Sequence, residues 1–268
     1  MSIMTKFRLD GRTALVTGSS NPFGIGYAIA MGLAECGARV ALHDIEPAGP
    51  IERALAAVRE VSPQSIAVTG DLRRPDVPTR IITEAVAGLG SLDILVTSAA
   101  ISRALKSWAE ITQEEAEEQM QVNFLATLRM IQAVVPGMRE KRWGRIVTIG
   151  SIQQRHPHPE LAVYAAAKAA QENLARNLAA QLGPDGITVN NLAPGLTLTT
   201  EGPKGRLADE AYASAVRALI PVGFFGKADD MVGAALLLCS EAGRYITGSE
   251  IRVDGGRTAS LLTAAPKG

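Results

Sequence analysis

Seven short β-branched runs alternate with longer helical patterns along the 268 residues, the runs are continuously apolar rather than alternating, and glycines gather where the first run ends. These observations predict an α/β fold: a doubly wound, seven-stranded parallel sheet with helices on both faces. A strand covered on both sides has no polar face to show, and strands separated by helices return parallel through right-handed crossovers.

The elements follow in order. TALVTG at 13–18 reads as the first strand and 25–36 as its helix. RVALHD at 39–44 precedes a helical pattern at 50–61, SIAVTG at 65–70 one at 76–89, and DILVTS at 93–98 a long one at 112–141. RIVTIG at 145–150 leads to 161–182, ITVNNLA at 187–193 to 228–240, and EIRVD at 250–254 is the last strand. No linker or low-complexity tract divides the chain, which reads as a single domain over 1–268. The one long irregular stretch, 194–225, is rich in Gly, Pro and small polar residues and reads as a lid, because loops of that length in compact domains are usually functional.

Composition excludes several classes. Lys+Arg and Asp+Glu both number 27, so no basic field argues for nucleic acid and no acidic surplus for a disordered tail. The two cysteines, Cys36 and Cys239, make no disulfide framework and fit a reducing compartment. The N-terminus has no apolar core of signal-peptide length and no run approaches a membrane span, so the chain reads as cytoplasmic with no membrane partner. The three histidines are not spaced as a ligand set, and no metal is expected.

The stretch TGSSNPFGIG places Gly18, Gly24 and Gly26 at a strand-to-helix turn, the context a dinucleotide fingerprint needs. Gly18 lets the chain turn tightly, Gly24 lets backbone approach a pyrophosphate, and Gly26 lets helix and strand pack closely, while the helix N-terminus offers free N–H groups. Asp44 ends the second strand 18 residues beyond Gly26, where a carboxylate accepts from adenosine ribose hydroxyls and repels a 2′-phosphate. No Arg or Lys lies in 19–25 or directly after Asp44, which favours NAD over NADP. Asp71, after the third strand, either meets the adenine edge or is an ordinary turn aspartate.

Tyr164 and Lys168 stand four apart on a helix, hence on one face. A tyrosine is a poor acid or base near neutrality, with a reference pKa of about 10. A neighbouring ammonium favours the phenolate. Ser151 arrives at the C-terminal end of the upstream strand, the edge where open parallel sheets bind ligands. Its hydroxyl can donate to a substrate oxygen while the tyrosine moves the proton.

With these pieces in place the chain resembles the classical short-chain dehydrogenase/reductase family over almost its whole length. The matching pieces are the glycine turn ending GIG, Asp44, GD at 70–71, LVTSAA at 95–100, VNF with Asn123, Ser151, Tyr-x-x-x-Lys at 164–168, APG at 193–195 and TGSEIRVDGG at 247–256. The resemblance implies that Tyr164 is the general acid/base, that Ser151 orients the substrate oxygen, and that Lys168 holds the nicotinamide ribose and lowers the pKa of Tyr164. It implies that Asn123 bends its helix and relays protons through water to Lys168. Pro194, Gly195 and the Thr197 backbone would meet the nicotinamide and Thr199 its carboxamide. Ser20, Ile25, Leu72, Ala99 and Ala100 complete the expected cofactor contacts. The implied reaction is hydride transfer between a secondary alcohol or ketone carbon and nicotinamide, and the implied assembly is a homotetramer paired through the long helical region.

Two departures stand out. Gly18 and Gly24 enclose five residues, SSNPF, where the family usually has three. TSAA at 97–100 replaces the family's Asn-Asn-Ala-Gly, which leaves Thr97 to brace the sheet. Between Ser151 and Tyr164, the polar residues Gln153, Gln154, Arg155, His156 and His158 either wall a hydroxylated substrate such as a sugar, polyol or sugar acid, or face water or a neighbouring subunit. Lys204 and Arg206 in the lid either meet a carboxylate or are solvated. The stretch is similar, loosely, to the sugar-acid dehydrogenases of the gluconate 5-dehydrogenase type. Two other readings stay open: an NAD(P)H-dependent reductase of 3-ketoacyl thioesters, and a non-catalytic nucleotide-sensing scaffold.

Overall fold

The computed structural model describes residues 2–45, 50–102 and 105–259. Strands β1 (Thr13–Thr17), β2 (Arg39–Asp44), β3 (Ile66–Thr69), β4 (Ile94–Thr97), β5 (Gly144–Ile149) and β6 (Ile187–Pro194) alternate with helices α1 (Ile25–Glu35), α2 (Pro50–Val61), α3 (Val77–Leu89), α4 (Gln113–Met120), α5 (Ala126–Lys141) and α6 (Ala162–Leu182). The short strands β7 (Thr197–Leu198) and β8 (Gly226–Lys227) bracket α7 (Glu210–Arg217), and α8 (Val232–Cys239) precedes β9 (Glu250–Val253). The main sheet runs β3-β2-β1-β4-β5-β6-β9, with every pair parallel. This is the expected doubly wound, Rossmann-like sheet of seven strands.

Successive residues of the central strands feed opposite cores, as the period of two requires. Leu15, Leu95 and Ile146 pack with α3, α5 and α6 through Ile81, Met130 and Ala175. Ala14, Val16, Ile94, Val96 and Val147 pack on the other face with α1 and α8 through Ile29, Leu33 and Leu238. Every residue of β1, β4, β5 and β6 is buried, which is why these strands read as unbroken apolar runs. The strand order reverses between β1 and β4, both hydrogen-bonded side by side at the centre. A crevice opens beyond the strand ends at such a switch point.

Two expectations change. The helical pattern at 112–141 is not one α-helix. Thr112 caps α4 through a capping box with Glu115, and a π-helical turn at Gln121–Leu125 then separates α4 from α5. The wider turn inserts one residue without ending the helix. The lid at 194–225 is not a structureless loop. Pro194 belongs to β6, β7 pairs with β8, and Asp209 caps α7 by accepting from the Tyr212 N–H. Ala213, Ile220 and Phe225 form a small core of its own beneath Leu198, Leu207 and Val216.

Candidate active site

A cleft of about 510 Å³ opens over the C-terminal ends of β1, β2, β4, β5 and β6. Its floor is the glycine turn. Gly18 has φ +66°, and a Cβ there would sit 2.8 Å from Ala99 Cα. A Cβ on Gly26 would lie 2.3 Å from the Gly18 carbonyl oxygen, so only glycine lets the helix approach the strand this closely. Gly24 is the N-cap of α1 and supplies no side-chain acceptor, which leaves the first N–H groups of the helix free for a negatively charged ligand. Gly24, Ile25 and Gly26 all line the cleft.

Asp44 lines it at the end of β2, its carboxylate accepting from Ser20 Oγ at 2.5 Å, Ser20 N at 3.2 Å and Ile45 N at 2.8 Å. Ser20 thus holds Asp44 in place rather than lining the cleft. Asp71 and Leu72 do not line it either. The Asp71 carboxylate is turned to Arg73, whose guanidinium holds it below the usual carboxylate range, and Leu72 is buried. The turn-aspartate reading of Asp71 therefore fits better than contact with an adenine. Ala99, Ala100, Pro194, Gly195, Thr197 and Thr199 also line the cleft. Thr97 does not brace the sheet, since its buried hydroxyl finds no partner among the described residues. Thr17 does that work instead, its hydroxyl accepting from the N–H groups of both Ser98 and Ala99 at 3.0 Å. The inserted Asn21, expected from sequence to bulge towards the adenosine or diphosphate, reaches across the mouth and donates from Nδ2 to the Thr199 carbonyl at 3.0 Å.

The reacting groups meet at the inner end. Ser151, at the end of β5, and Tyr164, in the first turn of α6, both line the cleft, and the Ser151 hydroxyl accepts from Gln153 N at 3.2 Å. Burial pushes the Tyr164 phenol above its ordinary value, and the neighbouring Ser151 hydroxyl offsets part of the rise. Lys168 is wholly buried, which pushes its ammonium down to about 8. Its Nζ donates to the Ile149 carbonyl at 2.6 Å and to Gln171 Oε1 at 3.3 Å, and lies 5.8 Å from the Tyr164 ring centroid. In this arrangement burial outweighs any lowering of Tyr164 by Lys168. Burial dominates, and the ammonium is engaged with carbonyl oxygens.

Asn123 sits in the π turn, fully buried, and clamps Ile101 with both amide atoms: Oδ1 accepts from Ile101 N and Nδ2 donates to Ile101 O, each at 2.8 Å. It ties α4–α5 to the chain leaving β4, and so fixes the wall opposite α6.

Of the polar wall between Ser151 and Tyr164, Arg155 and His156 are exposed and the two glutamines and His158 are engaged locally. Gln154 accepts from Ser151 N and donates to Asn191, while Gln153 accepts from His158 N and His158 Nδ1 accepts from Glu160 N. Arg155 is held by the largely buried carboxylates of Glu172 and Glu250. Gln153, Gln154 and His158 line neither the cleft nor the neighbouring cavity of about 450 Å³ beneath the lid. That cavity is walled by Leu105, Leu196, Leu207 and Tyr212, with Lys204 and Arg206 at its edge. Leu196 joins the two spaces, standing between Gly195 and Thr197. Among the described residues no group of three or more His, Cys, Asp or Glu side chains is placed to hold a metal ion, and no helix is long and apolar enough to cross a membrane.

The donor set fits a nicotinamide dinucleotide: a glycine-lined turn, an uncapped helix N-terminus and a fixed carboxylate about 20 residues further on. Comparison with known proteins agrees. Residues 18–258 match the family model described as enoyl-(acyl carrier protein) reductase. L-rhamnose 1-dehydrogenase (NAD(P)(+)) of Sphingomonas sp. (strain SKA58) is 33% identical over 94% of this chain and 98% of its own. Gluconate 5-dehydrogenase of Gluconobacter oxydans (strain 621H) is 33% identical over 97% of this chain and 100% of its own. The crystal structure of a 3-oxoacyl (acyl-carrier-protein) reductase from Agrobacterium tumefaciens C58 with NADP bound superposes with a TM-score of 0.86, at 38% identity, over 95% of this chain and 97% of that one. Whole-chain matches of this kind, on a fold and a cleft already accounted for residue by residue, make the protein a member of the short-chain dehydrogenase/reductase family, a nicotinamide-dependent oxidoreductase of CH–OH groups.

Proposed function

We propose that the protein is an NAD-dependent dehydrogenase of a polyhydroxylated secondary alcohol: a sugar, a polyol or a sugar acid. Asp44 carries the cofactor half of this reading. Its carboxylate faces the cleft, is fixed by three donors, and has no basic residue in the glycine turn beside it to receive a 2′-phosphate. The relatives that act on rhamnose and gluconate support the substrate half.

In oxidation, nicotinamide bound in the cleft supplies the hydride acceptor. Ser151 donates to the substrate oxygen and holds the carbinol carbon in place. Tyr164 takes the hydroxyl proton as the carbonyl forms, and Lys168 stabilises the phenolate and binds the ribose. Reduction runs the same steps backwards, with the phenol as donor. Pairing of the α4–α5 and α6 faces between copies would give the homotetramer.

A second reading, reduction of 3-ketoacyl thioesters, is favoured by the NADP-bound reductase and by the apolar cavity under the lid. Following NADH and NADPH absorbance over polyols, aldoses, aldonates and a 3-ketoacyl thioester separates the two. Turnover of a polyhydroxylated substrate with NAD supports the first reading. Reduction of the thioester by NADPH, with no reaction of the others, replaces it with the second.

A further inference from the structure

Behind Lys168, on the side away from the cleft, α6 and α5 share a buried chain of polar groups. Gln171 is 0% exposed, one helical turn beyond Lys168, and its Oε1 accepts from Lys168 Nζ at 3.3 Å. Its Nε2 donates to Thr127 Oγ1 on α5 at 3.0 Å. Thr127 is itself 2% exposed. The ammonium can only donate, so the amide must show it oxygen, and the Thr127 hydroxyl, accepting from the amide nitrogen, anchors Gln171 in that orientation. A glutamine in an otherwise apolar helix-to-helix seam is costly to bury unless it is fully bonded. No part of it reaches the cleft, so substrate and cofactor do not account for it.

We propose that Gln171, anchored by Thr127, is a positioning residue for Lys168: together with the Ile149 carbonyl it forms a two-acceptor seat that keeps the buried ammonium charged and aimed at the cleft. The proposal rests on the reading of Tyr164 and Lys168 as the proton-transfer pair.

The seat is needed because nothing else stabilises that charge. Burial is the cause of the lowered Lys168 value, and no carboxylate offsets it. On α6 the titratable group facing it is Tyr164, while Glu172 is turned to Arg155 and Arg176. Of the α4 carboxylates packed nearby, Glu115 is bound to Lys106, Glu117 to Gln113 and Glu118 to Arg73, and Glu114 is exposed. β5 offers the Ile149 carbonyl, with Arg145 near its other end held by Glu241, and β6 carries no titratable side chain. Neutral acceptors therefore do what an ion pair does elsewhere.

The test is the pH profile of kcat/KM for alcohol oxidation. Gln171→Met keeps the shape and removes the acceptor. Thr127→Val removes the anchor, and Thr127→Ser restores it. A weaker seat makes the ammonium easier to lose and the phenolate harder to form. Gln171→Met is therefore expected to move the acid limb to higher pH by about one unit, the size of one hydrogen bond to a charged group. Thr127→Val should move it the same way by less, Thr127→Ser should leave it in place, and Thr127→Val should add nothing in the Gln171→Met background. Unshifted limbs in both Gln171→Met and Thr127→Val, or a lower kcat with the limb unmoved, overturn the proposal and leave the amide a packing group. Tyr164→Phe is the control for the underlying reading. If it retains turnover, the proton-transfer pair itself is misassigned. If it is inactive while the Gln171 and Thr127 profiles match wild type, only the seat is wrong.

Discussion

Tyr164 stands 13 residues after Ser151 in sequence and beside it in the cleft, and its behaviour with pH follows from two opposed effects. Burial disfavours the phenolate and raises the pKa, while the Ser151 hydroxyl favours the phenolate and lowers it. Oxidation of an alcohol needs the phenolate, so kcat/KM in that direction rises as pH climbs from neutral towards the raised value. Reduction needs the phenol and is already served at neutral pH. Ser151→Ala removes the lowering contribution and the donor to the substrate oxygen together. It should move the oxidation limb to higher pH and cut kcat about 10²-fold, the usual cost of one such donor. A Ser151→Ala enzyme whose limb stays put would mean that the serine does not touch the tyrosine during turnover. These two residues were legible because the i, i+4 spacing of Tyr164 with Lys168 and the strand-end place of Ser151 are properties of the chain itself. The seat of Lys168 was not, because Thr127 lies on another helix. Residue type also misled: Gln154 and Arg155 are polar as a substrate wall would be, yet they bond Asn191, Glu172 and Glu250, and sequence carries no signal of which way a side chain turns.

At the scale of elements, hydrophobic period located the main strands and helices to within a residue or two, except that the pattern at 228–240 begins with a 3-10 turn, Ala228–Met231, before α8, and it missed what period does not encode. A π turn adds a single residue to a helix, so the pattern at 112–141 continues across Gln121–Leu125 with no visible break. The eight residues of α7 are flanked by Gly- and Pro-rich segments, and the composition of those segments hid the helix. The insertion in the glycine turn was visible as a length, five residues between Gly18 and Gly24, but its effect is tertiary. Asn21 bonds the turn to Thr199 at the base of the lid and so straps the cleft across the space a cofactor enters. Asn21→Ala removes the strap without touching the groups that carry the chemistry. A neutral hydrogen bond contributes about 1 kcal/mol, so NADH should leave about five-fold faster. Stopped-flow fluorescence during displacement by excess unlabelled nucleotide measures this directly. If the release rate matches wild type, the bond forms only while the cleft is empty and the strap has no part in retention.

The whole molecule is a sheet buried between two apolar layers with its ligand cleft at the point where strand order reverses, and the cleft is therefore coupled to global stability. A ligand that binds only the folded chain raises the unfolding free energy by about 2.7 kcal/mol at one hundred times its Kd, and by nothing well below Kd. The glycine turn joins β1 to α1 and Asp44 ends β2, so a dinucleotide bound in the cleft would touch the central strands themselves rather than a peripheral loop. The two nucleotides differ only in the 2′-phosphate, which Asp44 faces with negative charge. At equal concentration NADH should raise Tm by about 5–10 °C and NADPH by much less, given about 2–4 °C per kcal/mol for domains of about 150–250 residues. Asp44→Ala removes the repulsion and the ribose acceptor together, so the NADH shift should shrink and the NADPH shift should grow until the two converge. Differential scanning fluorimetry over a concentration series gives all four curves. Equal shifts from both nucleotides on the unaltered protein would place 2′-phosphate recognition outside Asp44. The proposed preference for NAD would then have no basis in this cleft, even though the proton transfer at Tyr164 would stand.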